Sequence, residues 1–177
     1  MIYIVCLCVA VGVLVLDLVT KTIAVSQNFN VVIIPELLKF KLTYNTGASF
    51  SFLADKPWAR YMFIAVTILV CIAILVYFSY IIIKKKKQSK WLLVALSMVF
   101  SGALGNLIDR IMLGKVRDFI FVFYNTDIFP AIFNVADIAL VVSVIMICVY
   151  LLFLDKDALF KIKSKENKTD ENSNGNG

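Results

Sequence analysis

Four long apolar runs divide the chain, and the few polar residues that interrupt them pose its functional question. The runs cover about 2–25, 59–83, 91–112 and 131–154. At about 1.5 Å per residue each can cross the roughly 30 Å hydrocarbon layer of a bilayer. The first is broken by Asp17 and Lys21, four residues apart and therefore on one helix face, where each can neutralise the other. Asp17 lies roughly 24 Å along that helix, toward its far end. The second run has no charge after Arg60 and reads as scaffold. The third ends on Asn106, Asp109 and Arg110, and the fourth opens on Asn134 and Asp137. An aspartate at the centre of a membrane helix costs roughly 2.5 to 3.5 kcal/mol, so a retained one calls for a use.

The connections have patterns of their own. Within 26–57, Leu38, Phe40, Leu42 and Tyr44 alternate with Lys39, Lys41 and Thr43, the period of a half-buried strand. Asn45, Thr46 and Gly47 supply a turn; Ala48, Phe50 and Phe52 then alternate with serines, and 31–34 is a further strand candidate. The expected fold is all-α and membrane-embedded, with four transmembrane helices and a small extracytoplasmic antiparallel β-sheet between helices 1 and 2. Segment 114–130 is rich in phenylalanine and holds Arg117, Asp118 and Asp127, a mixture suited to an interfacial loop. That places Asp118 at the rim of the bundle, with Asp137 roughly 10 Å deeper if the last helix starts near Pro130.

Charge sets the orientation. Lys84, Lys85, Lys86, Lys87 and Lys90 crowd the short link between the second and third runs, which the positive-inside rule assigns to the cytoplasm. Four spans then place both termini inside. The polar stripes of the first, third and fourth spans fall at one depth, in the outer leaflet, where they can converge on a single site. Residues 1–154 form one unit on this reading. The tail, 155–177, holds Lys, Glu, Asn, Ser and Gly with no apolar run beyond its first residues, a composition that cannot support a packed core. Met1 to Leu16 lacks a basic leader and a small-residue cleavage site, so it reads as a retained span.

Composition narrows the classes further. Of 177 residues, 61% are hydrophobic and 17% charged, well outside the soluble range of roughly 45 to 50% apolar. The net charge of +6 comes mostly from lysines flanking the apolar runs, which signals topology rather than nucleic-acid binding. With no histidine, Ser/His and Cys/His catalysis and His-ligated metal sites are excluded. Cys6, Cys8, Cys71 and Cys148 lie in the apolar runs and read as small buried hydrophobes.

Two carboxylates in a partly dry site without histidine suggest aspartyl chemistry. Held close, they share one proton; the ionised one takes a proton from water while the other protonates the leaving nitrogen. The residues leave alternatives open. Asp118 is either half of such a pair or a solvated loop carboxylate, and Asp137 either the other half or a buried partner of Arg110 or Lys21. Asn106 and Asn134 are interhelical hydrogen-bond glue or donors that orient the site. Asp109 with Arg110 reads as an ion pair fixing helix ends. Ser101, Gly102 and Gly105 make a small-residue face for close helix contact.

Five segments in order, DLVTK (17–21), NTGASFSF (45–52), GALGNLIDR (102–110), VRDF (116–119) and FNVAD (133–137), resemble the motifs of lipoprotein signal peptidase, or signal peptidase II. The resemblance covers the chain to about Leu154. It implies an intramembrane aspartic endopeptidase of the bacterial cytoplasmic (inner) membrane. Such enzymes remove signal peptides from diacylglyceryl-modified prolipoproteins, cutting N-terminal to the lipidated cysteine, without cofactor or metal. Asp118 and Asp137 match the catalytic pair. Asp17, Lys21, Asn106, Asp109, Arg110, Asn134 and Ala136 match supporting positions, and Asn45 and Gly47 the outer loop that grips substrate. The resemblance also implies contact with membrane lipids, a monomer, and inhibitors such as globomycin bound at the pair. Ala103, Ser49 and Arg117 depart from the pattern, and Arg117 beside Asp118 is expected to lower the pKa of that carboxyl. Rival classes are a small proton-coupled transporter, which needs polar residues along a whole pathway, and a lipid-binding assembly factor with structural carboxylates.

Overall fold

Four helices and a four-stranded sheet make up the molecule, which a computed structural model describes at residues 1–46, 58–124 and 131–155. The helices are α1 (Ile2–Ser26), α2 (Ala59–Ile83), α3 (Lys90–Leu113) and α4 (Val135–Val149), the last continued by a π-helical turn over Tyr150–Leu154. All four are long and apolar enough to cross a membrane once that turn is included. The strands are β1 (Asn30–Ile34), β2 (Leu38–Asn45), β3 (Val116–Val122) and β4 (Ala131–Phe133), antiparallel in that order.

Helix α3 is the centre of the bundle and packs against α1, α2 and α4. It has the lowest hydropathy of the four and the most buried residues, among them Ser97, Ser101, Gly102, Ala103, Gly105, Asn106 and Asp109. A helix surrounded by others need not be greasy; it needs small side chains where backbones approach. Gly102 and Gly105 meet that need, since an added Cβ would lie 2.7 Å from the Ala136 carbonyl oxygen and 2.5 Å from Asp17 Oδ2 respectively. By contrast α1 and α2 expose Ile4, Leu7, Val11, Val15, Leu69, Ile72 and Val76, a surface that only lipid tails can cover without cost. Cys6 and Cys71 are buried, as expected, but Cys8 and Cys148 are exposed on this apolar surface.

The end of α3 nearest the sheet is closed by two devices. Gly114 takes the left-handed conformation (φ 76°), which stops the helix. Arg60, in the first turn of α2, donates from Nε to the Arg110 carbonyl at 3.1 Å and from Nη2 to that of Ile111 at 3.3 Å. Arg60 therefore satisfies carbonyls that the helix end leaves unpaired.

Two expectations about the last third of the chain are corrected. Val116–Val122 is a strand rather than an interfacial loop, and it supplies the third strand of a sheet whose β1 and β2 come from between α1 and α2. The fourth helix begins at Val135, four residues later than the apolar run suggests. Residues 131–133 pair with β3 instead, and Asn134 stops the strand and starts the helix. Its side chain accepts from the Asp137 backbone N–H at 3.0 Å, while the Asp137 carboxylate accepts from the Asn134 backbone N–H at 3.0 Å. This reciprocal capping box contributes about 1 kcal/mol and places Asp137 in the first turn of α4, not two turns down it. The turn residue Gly47, the strand candidate 48–52, Asp127 and the tail from 156 onward lie outside the described residues.

Candidate active site

Strand geometry explains why Asp118 turns inward. Successive side chains of a strand point to opposite faces, so Arg117 and Asp118 diverge. Asp118 is 2% exposed, which overturns its reading as a solvated loop carboxylate. Thr43 of β2 stands opposite it, and Asn45 is two residues further along the same face. From that diagonal position Asn45 Nδ2 donates to Asp118 Oδ2 at 3.1 Å. Asn134 Nδ2 donates to Asp118 Oδ1 at 2.7 Å.

Asp137 is held from α3. Asn106 Nδ2 donates to its Oδ1 at 2.8 Å, and its Oδ2 is occupied by the capping box. Asp137 takes this amide contact, and of the two expected cations Arg110 interacts with it electrostatically. The two asparagines also bond to each other, Asn134 Nδ2 to Asn106 Oδ1 at 3.0 Å. An unbroken chain of amides thus runs from one carboxylate to the other, Asp118 to Asn134 to Asn106 to Asp137. The choice between glue and orientation dissolves, because the same bonds that tie α3 to α4 also direct donors at both aspartates.

Beneath this lies a fully buried charge network. Lys21 Nζ is 2.7 Å from Asp17 Oδ2, 3.4 Å from Asp109 Oδ2 and 3.0 Å from Asn106 Oδ1, with all three ionic side chains at zero exposure. The sequence spacing of Asp17 and Lys21 anticipates the first contact. Asp17 Oδ1 in turn accepts from the backbone N–H of Ala136 at 2.9 Å, which fixes α1 against the first turn of α4. Asp109 is expected to pair with Arg110, whose guanidinium feels its charge, but the cation that grips it directly is Arg117. Asp109 accepts from Arg117 three ways, from Nη2 at 2.6 Å, from Nε at 3.2 Å and from the backbone N–H at 3.0 Å. Helical geometry explains the exchange, since adjacent residues do not face each other on a helix. The Arg110 guanidinium lies 5.3 Å over the Phe63 ring and interacts electrostatically with Asp137 and Asp118.

Arg117 was therefore read with the wrong partner. It does not lower the Asp118 carboxyl. Burial, with the charge of Asp137 adding to it, pushes that carboxyl up to about 7, against the pull of the Asn45 and Asn134 amides and the Lys21 ammonium. The signal for a strand at 116–122 is its β-branched and aromatic residues, and a strand puts the adjacent Arg117 and Asp118 on opposite faces. Arg117→Val is expected to leave the pH profile of activity in place while lowering stability by on the order of 3 kcal/mol, because Asp109 loses its bidentate cation. Thermal unfolding in detergent alongside a pH–rate profile checks both halves.

Among the described residues, no cluster of His, Cys, Asp and Glu is arranged to hold a metal ion. What the arrangement offers is two carboxylates, one deeply buried and one half-buried, each gripped by amide donors at the sheet-proximal end of a lipid-facing bundle. Such a pair can hold one proton between them and manage a water molecule.

Comparison with known proteins agrees with this picture. Residues 9–153 match the model of the family described as signal peptidase (SPase) II. A lipoprotein signal peptidase of Pseudomonas paraeruginosa is 45% identical over 144 residues, covering 78% of this chain and 82% of the relative. One from Pseudomonas putida is 42% identical over 159 residues, covering 87% of this chain and 85% of the relative. Two solved structures described as bacterial membrane enzymes, obtained by the in meso method, superpose with TM-scores of 0.71 and 0.70 at 33% and 34% identity. They cover 96% and 87% of this chain and 94% of their own.

Proposed function

Because the chain belongs to the signal peptidase II family and so removes signal peptides from prolipoproteins at a bacterial membrane, we propose that Asp118 and Asp137 are the carboxylates that do the hydrolysis. The observation that supports this is the amide chain of Asn134 and Asn106, which ties the two acids together. The transporter reading has no support in the family match.

The environments divide the labour. Asp118, raised to about 7 by burial, is the member that holds the proton near neutrality. Asp137, in the first turn of a helix and receiving two N–H bonds, is the member placed to accept a proton. Asp137 takes a proton from water as the water oxygen attacks the scissile carbonyl carbon. When the C–N bond breaks, the proton of Asp118 passes to the departing nitrogen. Transfer of the proton from Asp137 to Asp118 restores the starting state. General acid–base assistance of this sort contributes roughly 10²- to 10⁴-fold.

The substrate is diacylglyceryl-modified and is cut N-terminal to the lipidated cysteine. Its acyl chains lie along the exposed apolar helix faces, and the peptide runs toward the sheet from the outer leaflet. Both termini are cytoplasmic, and residues 1–154 act as one peptidase unit in a monomer. Asn45 and Gly47 hold the peptide; inhibitors of the globomycin type bind at the acid pair. Incubating the purified protein in detergent with lipidated and unlipidated forms of one precursor tests substrate class. Cleavage of the lipidated form alone is expected; equal cleavage of both overturns it.

The pH dependence has a definite sign. A carboxyl raised to about 7 is protonated below that pH and ionised above it, so the acid needed for the leaving group is lost as pH rises through about 7. The alkaline limb of kcat/KM is expected there. Asn45 donates to the ionised form and opposes the rise, so Asn45→Ala should move that limb to higher pH. An unmoved or lowered limb would contradict the assignment of the proton to Asp118.

A further inference from the structure

Both catalytic carboxylates receive an amide NH₂ group, and an asparagine can present its NH₂ or its oxygen with almost the same shape. Something must choose. A wrongly turned Asn106 would point its oxygen at Asp137 and its NH₂ at a buried cation, two repulsions at once. For Asn106 the choice can be traced to one group. Lys21 Nζ, fully buried between Asp17 and Asp109, donates to Asn106 Oδ1 at 3.0 Å. An ammonium has only donors, so the atom facing it must be oxygen. The second lone pair of that oxygen takes the Asn134 NH₂. Asn106 is left with its NH₂ toward Asp137, 2.8 Å away. Asn134, its oxygen engaged by the Asp137 backbone N–H, is left with its NH₂ toward Asp118, 2.7 Å away.

We infer that Lys21 is a positioning residue that sets the polarity of Asn106, so that one buried cation on α1 aims an amide donor of α3 at Asp137, while Asn134 is set by its own capping bond and the Arg117 carbonyl. This rests on the assignment of Asp118 and Asp137 as the reacting pair. Asp17 holds Lys21 in place and anchors it to α4 through the Ala136 N–H. Asp109 is the second counter-ion and has Arg117 as a partner of its own, so the lysine can be removed together with Asp17 without leaving Asp109 uncompensated. The remaining charge near the pair, Arg110, donates to the Asn106 backbone carbonyl at 3.5 Å and interacts electrostatically with both carboxylates.

The test is a mutant cycle between the pair D17N/K21M and the single change N106A, read in kcat and KM on a lipidated precursor. If Lys21 acts through Asn106, each arm lowers kcat by about 10- to 100-fold with KM little changed, and the combined variant is no worse than the poorer arm. Losses that multiply would mean that Lys21 supports the fold independently, and the inference would be wrong. Should D17N/K21M fail to fold, N106D answers in its place. Its carboxylate still accepts from Lys21 and Asn134 but offers Asp137 no donor, so it must be at least as inactive as N106A; parent-like turnover of N106D overturns the inference. D118N and D137N run alongside separate the two claims. Turnover by either removes the acid pair itself, whereas silent D118N and D137N with multiplying losses in the cycle remove only the role of Lys21.

Discussion

Asp118→Asn and Asp137→Asn are each expected to lower signal-peptide removal by roughly a thousandfold or more while the protein remains folded and membrane-inserted. The two losses have different origins. Asparagine at 137 cannot accept the proton of the attacking water; at 118 it has no proton to give the leaving nitrogen. The fold should tolerate both. Asp118 is buried where ionisation is already disfavoured, so loss of its charge is tolerated, while the NH₂ that asparagine turns toward the Asn45 or Asn134 NH₂ costs about 1 to 3 kcal/mol, and Asp118→Asn should stay folded with a modestly lower unfolding temperature. Single-turnover cleavage of a lipidated precursor, measured beside thermal unfolding in detergent, distinguishes lost chemistry from lost structure. Substantial turnover by either variant would end the two-carboxylate mechanism.

Gly105→Ala should be nearly as damaging to activity by a different route. A Cβ at this position would stand 2.5 Å from Asp17 Oδ2 and 3.2 Å from Asp17 Cγ. Neither side can yield easily, because the carboxylate is fixed by Lys21 and by the Ala136 N–H, and Gly105 is embedded in the central helix. Relief requires α1 and α3 to separate or Asp17 to release Lys21. Overpacking of this kind costs about 1 to 3 kcal/mol, and displacement of a buried charge from its partner adds to it. We expect a lower unfolding temperature together with a large fall in kcat, since Lys21 no longer reaches Asn106. Gly12, with nothing within 4 Å of an added Cβ, is the matched control, and Gly12→Ala should behave as the parent. A parent-like Gly105→Ala would show that α1 can shift without disturbing the acids.

Much of this was readable before any coordinates. Hydrophobic run length located four helices to within a few residues, except at the start of α4. Period-two alternation located β2, and the four-residue step from Asp17 to Lys21 anticipated their ion pair. These succeed because they are local: helix and strand periods place side chains relative to their own backbone. The failures share a cause too. The stretch 131–133 is apolar in a strand as it would be in a helix, so only the capping box of Asn134 shows where one becomes the other. Arg110 and Arg117 both offer Asp109 a cation, and only the return of β3 beside the end of α3 decides for Arg117.

From its residues alone this chain declares a bundle of four membrane spans with acids at one depth, since burying charge in hydrocarbon is so costly that each polar position stands out. Which acid keeps its proton, which amide faces which carboxylate, and which cation neutralises which anion depend on contacts between residues up to 119 positions apart. Those were decided by tertiary structure, because a buried charge or amide is satisfied by whatever the fold brings within about 3 Å of it, and sequence spacing holds no record of that.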